Sequence, residues 1–110
     1  MKFFVYNDER KNTVYHEFQK GHFDEKTFWK DDSICLSDDL LYTLGIEDLF
    51  ICTIPNYCST GEIEVNPQIW EAVKGEAEKA GGDIQECILE ADKWARDTFI
   101  KYDVFTIIGV

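Results

Sequence analysis

Apolar and polar positions alternate with a strand-like period at the start of this chain and shift to helical spacing later. Phe3-Phe4-Val5-Tyr6 is a short run of strand formers closed by the turn residues Asn7-Asp8. Thr13-Val14-Tyr15-His16-Glu17-Phe18 alternates well enough to predict a second strand. Together they predict an N-terminal hairpin whose charged loop covers residues 7–12. Gly21 ends that unit. Residues 22–29 must bury Phe23, Phe28 and Trp29, which either a third strand or an irregular segment would do.

Ser37 fits a helix N-cap, because its hydroxyl can accept from an amide of the next turn. Asp38 and Asp39 then lie at the positive end of a short helix. Leu40, Leu41 and Leu44 would face inward, and Gly45 would stop it. Leu49 to Ile54 predicts a buried strand ended by Pro55-Asn56, and 55–61 has turn chemistry. Glu62-Ile63-Glu64-Val65 alternates, so Ile63 and Val65 point to the core while the two glutamates share the other face. Asn66-Pro67 opens a helix whose apolar stripe is Ile69, Trp70, Val73, Ala77 and Ala80. Gly81-Gly82 closes it. Asp83 and Glu86 have capping-box spacing for a last helix. Its inward set is Ile84, Cys87, Ile88, Ala91, Trp94, Ala95, Thr98 and Phe99. Asp92 falls mostly outside that stripe. Val104 to Ile108 ends the chain as an apolar strand, expected inside the sheet and parallel to one neighbour.

This order predicts an α+β fold: a mainly antiparallel sheet of about five strands with two longer C-terminal helices on one face. The 110 residues fit one domain, 1–110, without repeats or linkers. Hydrophobic residues are 45% and aromatics 15%, too many for a disordered acidic tail. No apolar run is long enough to span a bilayer. Asn7-Asp8-Glu9-Arg10-Lys11 interrupts the apolar start before a signal core could form, so cytoplasmic residence is expected. Reduced thiols go with that location. Cys52 and Cys87 lie in apolar patterns, and no Cys-x-x-Cys pair suggests a metal.

Charge changes the picture most. The formal net charge is −11, and its distribution is uneven. Residues 1–30 hold six basic and five acidic side chains, and residues 66–110 hold five and nine. Between Asp31 and Val65 there are eight carboxylates and no Lys or Arg: Asp31, Asp32, Asp38, Asp39, Glu47, Asp48, Glu62 and Glu64. Such a field repels nucleic acid and anionic membrane and speeds encounter with a basic partner. Tyr42 and Tyr57 lie among the acids and suit a contact surface. These ten residues are the candidate partner-binding set.

No pattern names a reaction. His16 and His22 stand in no recognisable catalytic arrangement. Adjacent exposed acids lack the environmental asymmetry a hydrolase needs. Residues 31–42 do not follow a calcium loop, and Gly81-Gly82 lacks the context of a phosphate loop. No cofactor or metal is expected, and the chain is not expected to be an enzyme.

A small, strongly acidic α+β domain of this layout resembles the immunity proteins of bacterial toxin–immunity systems, those of contact-dependent inhibition and polymorphic toxins among them. The closing helix-then-strand stretch, Trp94 to Val110, is similar to the ending of some predicted immunity families. The resemblance implies a cognate toxin, a basic nuclease, blocked by the acidic surface. It transfers no residue role. Three alternatives use the same residues differently. A nucleic-acid mimic would space its carboxylates like phosphates and inhibit other basic proteins. A small ligand-binding or enzymatic domain would need a deep pocket. An acidic structural subunit would simply oligomerise.

Overall fold

The computed structural model describes residues 1–11 and 14–109. Strands β1 (Val5–Tyr6), β2 (Tyr15–Lys20), β3 (Ile34–Ser37), β4 (Glu62–Val65) and β5 (Phe105–Ile108) form one sheet in the order β1-β3-β2-β5-β4. All neighbours are antiparallel. Helices α1 (Asp38–Thr43), α2 (Ile46–Thr53), α3 (Pro67–Ala80) and α4 (Gly82–Lys101) follow the chain order, and a 3-10 turn spans Asn7–Glu9. The expected α+β class is the one found, with α3 and α4 packed against the sheet.

Strand register explains which residues are core. Ile34, Phe18, Ile107 and Ile63 are successive cross-strand partners, so they share one face. That face meets Phe50 of α2, Trp70 and Val73 of α3, and Ile88 and Ala91 of α4 in one apolar cluster. On the opposite face Cys35, Glu17, Ile108 and Glu62 form another row of partners, with Gln19, Thr106 and Glu64 beside it. The irregular segment 21–33 is tied to this second face. Glu17, 1% exposed, accepts from Lys30 N (3.0 Å), Ser33 Oγ (2.7 Å) and Gln19 Nε2 (3.1 Å). Thr106 Oγ1 donates to Gly21 O (2.9 Å), and Gln19 Nε2 to Thr27 O (2.9 Å). Trp29 has a positive φ (58°), and the Arg10 guanidinium lies over its indole, 3.8 Å from the ring centroid.

Several local expectations hold. Ser37 Oγ accepts from Leu40 N (3.3 Å), and Asn66 Oδ1 accepts from Ile69 N (2.8 Å) with Pro67 at the first turn. Val65 is buried and Ile63 packs against the core.

Others are corrected. The N-terminal hairpin does not form: β1 pairs with β3, which lies between it and β2. The expected loop and strand residues Asn12 and Thr13 lie outside the described residues. The reason is β3 itself, Ile34-Cys35-Leu36, fully buried between two neighbours and missed because it has no polar alternation. Leu49 to Thr53 is not a strand but the last part of α2, and Ile54 is its extended C-cap. Gly45 at φ 84° ends α1 and lets a new helix start at once. Ile46, Leu49 and Phe50 are then one buried helical stripe, while Ile51 and Cys52 face solvent. Asp83 and Glu86 form no capping box, because Gly81 is the shared cap and the helix has already begun at Gly82. Ala80 is exposed. The last strand is internal as expected, yet antiparallel on both sides. Two helices separate it from β4, and an antiparallel helix pair returns the chain to the end from which it left.

Asp92 was expected on the outer face of the last helix but is 7% exposed. Its carboxylate accepts from Trp70 Nε1 (2.8 Å) and pairs with Lys74 (3.3 Å) and Arg96 (3.2 Å), clasping α3 to α4. Asp92→Ala leaves a buried indole N–H unpaired. It is expected to cost about 1–3 kcal/mol in urea unfolding, with Asp92→Asn recovering part of the loss. An Ala variant within experimental error of wild type would show that the clasp contributes nothing.

Candidate functional site

The candidate carboxylates occupy three places. The largest group sits on two consecutive helix starts. Asp38 and Asp39 form the first turn of α1, and Glu47 and Asp48 that of α2. Acidic residues there are favoured by the helix dipole, which is why the local sequence tolerates four of them without cations. Tyr42 is 53% exposed on α1, and Ile51 is 58% exposed on α2. Tyr57 packs its ring 5.5 Å from Phe50, with its hydroxyl buried. Burial pushes its phenol well above the ordinary range, and the nearby Glu47, Tyr42 and Asp38 push in the same direction. Asp38, Tyr42, Glu47 and Tyr57 are therefore one electrostatic neighbourhood.

Asp38 has a second role that the sequence did not show. Its Oδ1 lies 2.9 Å from Nδ1 of His16, a β2 side chain only 1% exposed. His16 is thus a buried anchor beneath the start of α1, and no depression described below is lined by it. The loop 55–61 closes over the end of β5 beside it. Gly109 N donates to Gly61 O (2.8 Å), and a Cβ at Gly109 would collide with the carbonyl of Ser59.

Glu62 and Glu64 form the second group, on the sheet face away from α3 and α4. Among the described residues Glu62 has no side-chain partner, whereas Glu64 accepts from Phe23 N (3.0 Å) and pairs with His22 Nδ1 (3.0 Å). Asp31 and Asp32 form the third, just before β3. There the Asp32 carbonyl accepts from Trp94 Nε1 (2.8 Å), and Asp31 lies beside Tyr6, Asn7 and Asp8.

Among the described residues, no Lys or Arg is ion-paired with any of the eight carboxylates. The paired cations serve other acids: Lys2 with Glu86, Lys20 with Asp97, Lys30 with Asp24, Lys74 with Glu71, Lys79 with Glu76, and Arg96 with Asp92. Asp31, Asp32, Asp39, Asp48, Glu62 and Glu64 are exposed, and Asp38 and Glu47 are half-buried.

Three depressions formed by the described residues stand out, and among those residues no His, Cys or Ser side chain lines any of the three. The largest of these three, about 760 Å³, runs between α4 and the β1–β3 end of the sheet, with Asp32 in its lining. Cys35 and Cys87 are buried, and burial raises both thiols to about 12. Cys58 is exposed, and hydrogen bonding with the side chain and backbone of Thr60 lowers its thiol. Among the described residues, no cluster of three or more His, Cys, Asp or Glu is arranged for a metal ion. No helix among them is long and apolar enough to cross a membrane.

No protein-family model, curated protein or solved structure matches this chain.

Glu64 supplies a pH test of the local geometry. The Phe23 N–H is the largest influence holding its carboxyl below the ordinary 4.5; burial opposes this, and His22 adds to the lowering. A carboxyl with a depressed folded value contributes stability above its unfolded pKa and loses it as pH falls through the folded value. Glu64→Gln is therefore expected to be less stable than wild type at neutral pH. The gap should close as pH drops below about 4.5. Chemical unfolding of both proteins across that range checks it, and a gap independent of pH would disprove the assignment.

Proposed function

We propose that the protein is an inhibitor of a basic protein, working as an immunity protein against a nuclease toxin in the cytoplasm. The observation that carries this reading is that, among the described residues, none of the eight carboxylates from Asp31 to Glu64 has a Lys or Arg partner and only Asp38 and Glu64 have a histidine, while the paired lysines and arginines serve acids elsewhere. Proteins ordinarily intersperse both signs at their surface, so a one-sign stretch that keeps its field favours an oppositely charged partner. The α1–α2 group supports the reading further, because it joins four acids to exposed Tyr42 and Ile51. Aromatic and aliphatic contact area beside charge is the composition of a binding surface.

The inhibitory step is occlusion. Carboxylates take the Lys and Arg side chains that would hold substrate phosphates, and the surface around them excludes the nucleic acid. Close charge pairs across interfaces couple by roughly 1.5–7 kcal/mol, from which desolvation removes a part. The field acts before contact, so it raises the association rate.

Asp39, Asp48 and Glu62 have no side-chain partner among the described residues, so reversing them to Lys spares the His16 and His22 contacts. The triple variant is expected to keep its fold by circular dichroism. Its affinity for a partner captured from the native host should fall about 100-fold or more. Association of wild type should slow as salt rises. In a cleavage assay, wild type should abolish the captured partner's nuclease activity at equimolar amounts. Equal capture by the variant, or a salt-independent association rate, rejects the acidic surface as the interface.

A further inference from the structure

The 760 Å³ depression is a trough whose α4 wall runs from Glu86 to Asp97. Eleven helical steps make it about 16 Å long. Its floor contains Ile34, Leu89 and Trp94. Leu89 is 51% exposed, and Tyr6 at the near end is 46% exposed. An amphipathic helix usually turns such residues toward a partner layer. The floor is also rigid. Trp94 donates to the Asp32 carbonyl (2.8 Å) and packs against Phe18 (6.3 Å) and Phe105 (5.4 Å).

The charges around the trough are of two kinds. Three carboxylates are already engaged: Glu86 with Lys2 (3.1 Å), Asp97 with Lys20 (2.7 Å), and Glu90 with the N–H groups of Lys2, Phe3 and Phe4. Asp32 and Lys93 remain without a side-chain partner among the described residues. Tyr6 also lines a second depression, and there Asp8 and Asp31 are likewise unpaired. The trough lining thus holds one unengaged carboxylate, Asp32, and one unengaged amine, Lys93, and through Tyr6 it adjoins a depression with two further unengaged carboxylates, Asp8 and Asp31.

We propose that this trough docks a peptide segment of the protein partner carrying an aliphatic or aromatic anchor followed by Lys or Arg. The anchor packs on exposed Leu89 and half-buried Trp94, and the cation reaches Asp32 and the adjoining Asp8 and Asp31. The sign of the partner rests on the functional reading above, but the contact is separate from the α1–α2 acids. A second copy of this chain is disfavoured, because each copy carries −11 and would bring the same carboxylates together. An anionic amphiphile is disfavoured by the same three groups.

The probe is a synthetic peptide of alternating leucine and lysine, titrated into the 15N-labelled full chain. Glutamate-for-lysine and serine-for-leucine versions are the controls. The first peptide is expected to shift the Asp31, Asp32, Leu89 and Lys93 amides and the Trp94 indole, and neither control should bind. Leu89→Arg, at an exposed position, and the Asp31→Lys/Asp32→Lys pair should each weaken binding about tenfold or more. The Asp39/Asp48/Glu62 triple variant should stay within about threefold of wild type. Absence of binding, binding untouched by Leu89→Arg, or equal binding of the serine version overturns the trough. Loss of native-partner capture in the triple variant, together with a failed peptide titration, would leave the acidic-surface reading standing alone. Capture lost only in Leu89→Arg would sustain the trough and reject that reading.

Discussion

Phe18 is the contact on which the rest of the molecule is assembled. It lies on the central strand, is 0% exposed, and touches four rings: Phe4 at 5.3 Å, Phe105 at 5.7 Å, Phe50 at 6.2 Å and Trp94 at 6.3 Å. Those partners come from the segment before β1, from β5, from α2 and from α4. Phe105 extends the network to Trp70 of α3 at 5.3 Å and to Phe99 at 5.7 Å. Edge and stacked ring pairs add about 0.5–1.5 kcal/mol each beyond area burial. One side chain therefore gathers elements that are far apart in sequence and supports both the trough floor and α2.

The charge pattern becomes affordable because of that core. A net charge of −11 opposes compaction. The aromatic interior and the α3–α4 clasp at Asp92 offset the repulsion without recruiting the acids of residues 31–64. Where one of those acids takes a side-chain partner among the described residues, it is a histidine: His16 for Asp38, His22 for Glu64. The lysines and arginines work elsewhere, on α3, on α4 and around the chain's first strand. The acidic groups are left exposed by a division of labour between packing and charge.

Much of the fold was legible because its signals were local. Ser37, Asn66 and Gly45 carry their capping and stop functions in their own chemistry, and the α3 and α4 stripes repeat often enough to be unmistakable. β3 was not legible. A short strand paired on both sides shows no alternation, and its identity lies in Val5 and Glu17, its distant partners. Leu49 to Ile54 misled because a six-residue run that is apolar except for Thr53 fits a strand and a helix equally, and the deciding residue, Gly45, lies upstream. For the candidate site, the sequence showed that the acids were uncompensated. It did not show that they would separate into three groups, because that depends on the register of β4 and on where the segment 21–33 folds back. His16 beneath Asp38 and the trough along α4 were beyond sequence patterning, since each is made by elements more than twenty residues apart.

Gly45 has a consequence for how the surface is aimed. It is a single joint between two short helices, so the orientation of Glu47 and Asp48 relative to Asp38 and Asp39 is set by one left-handed residue. One extra residue at that joint would turn everything after it by about 100° around the α2 axis. Leu49 and Phe50 would swing toward water and the carboxylates toward the aromatic interior. The exposed side chains on either side of this joint can thus be exchanged without re-aiming the helices, whereas its length cannot change.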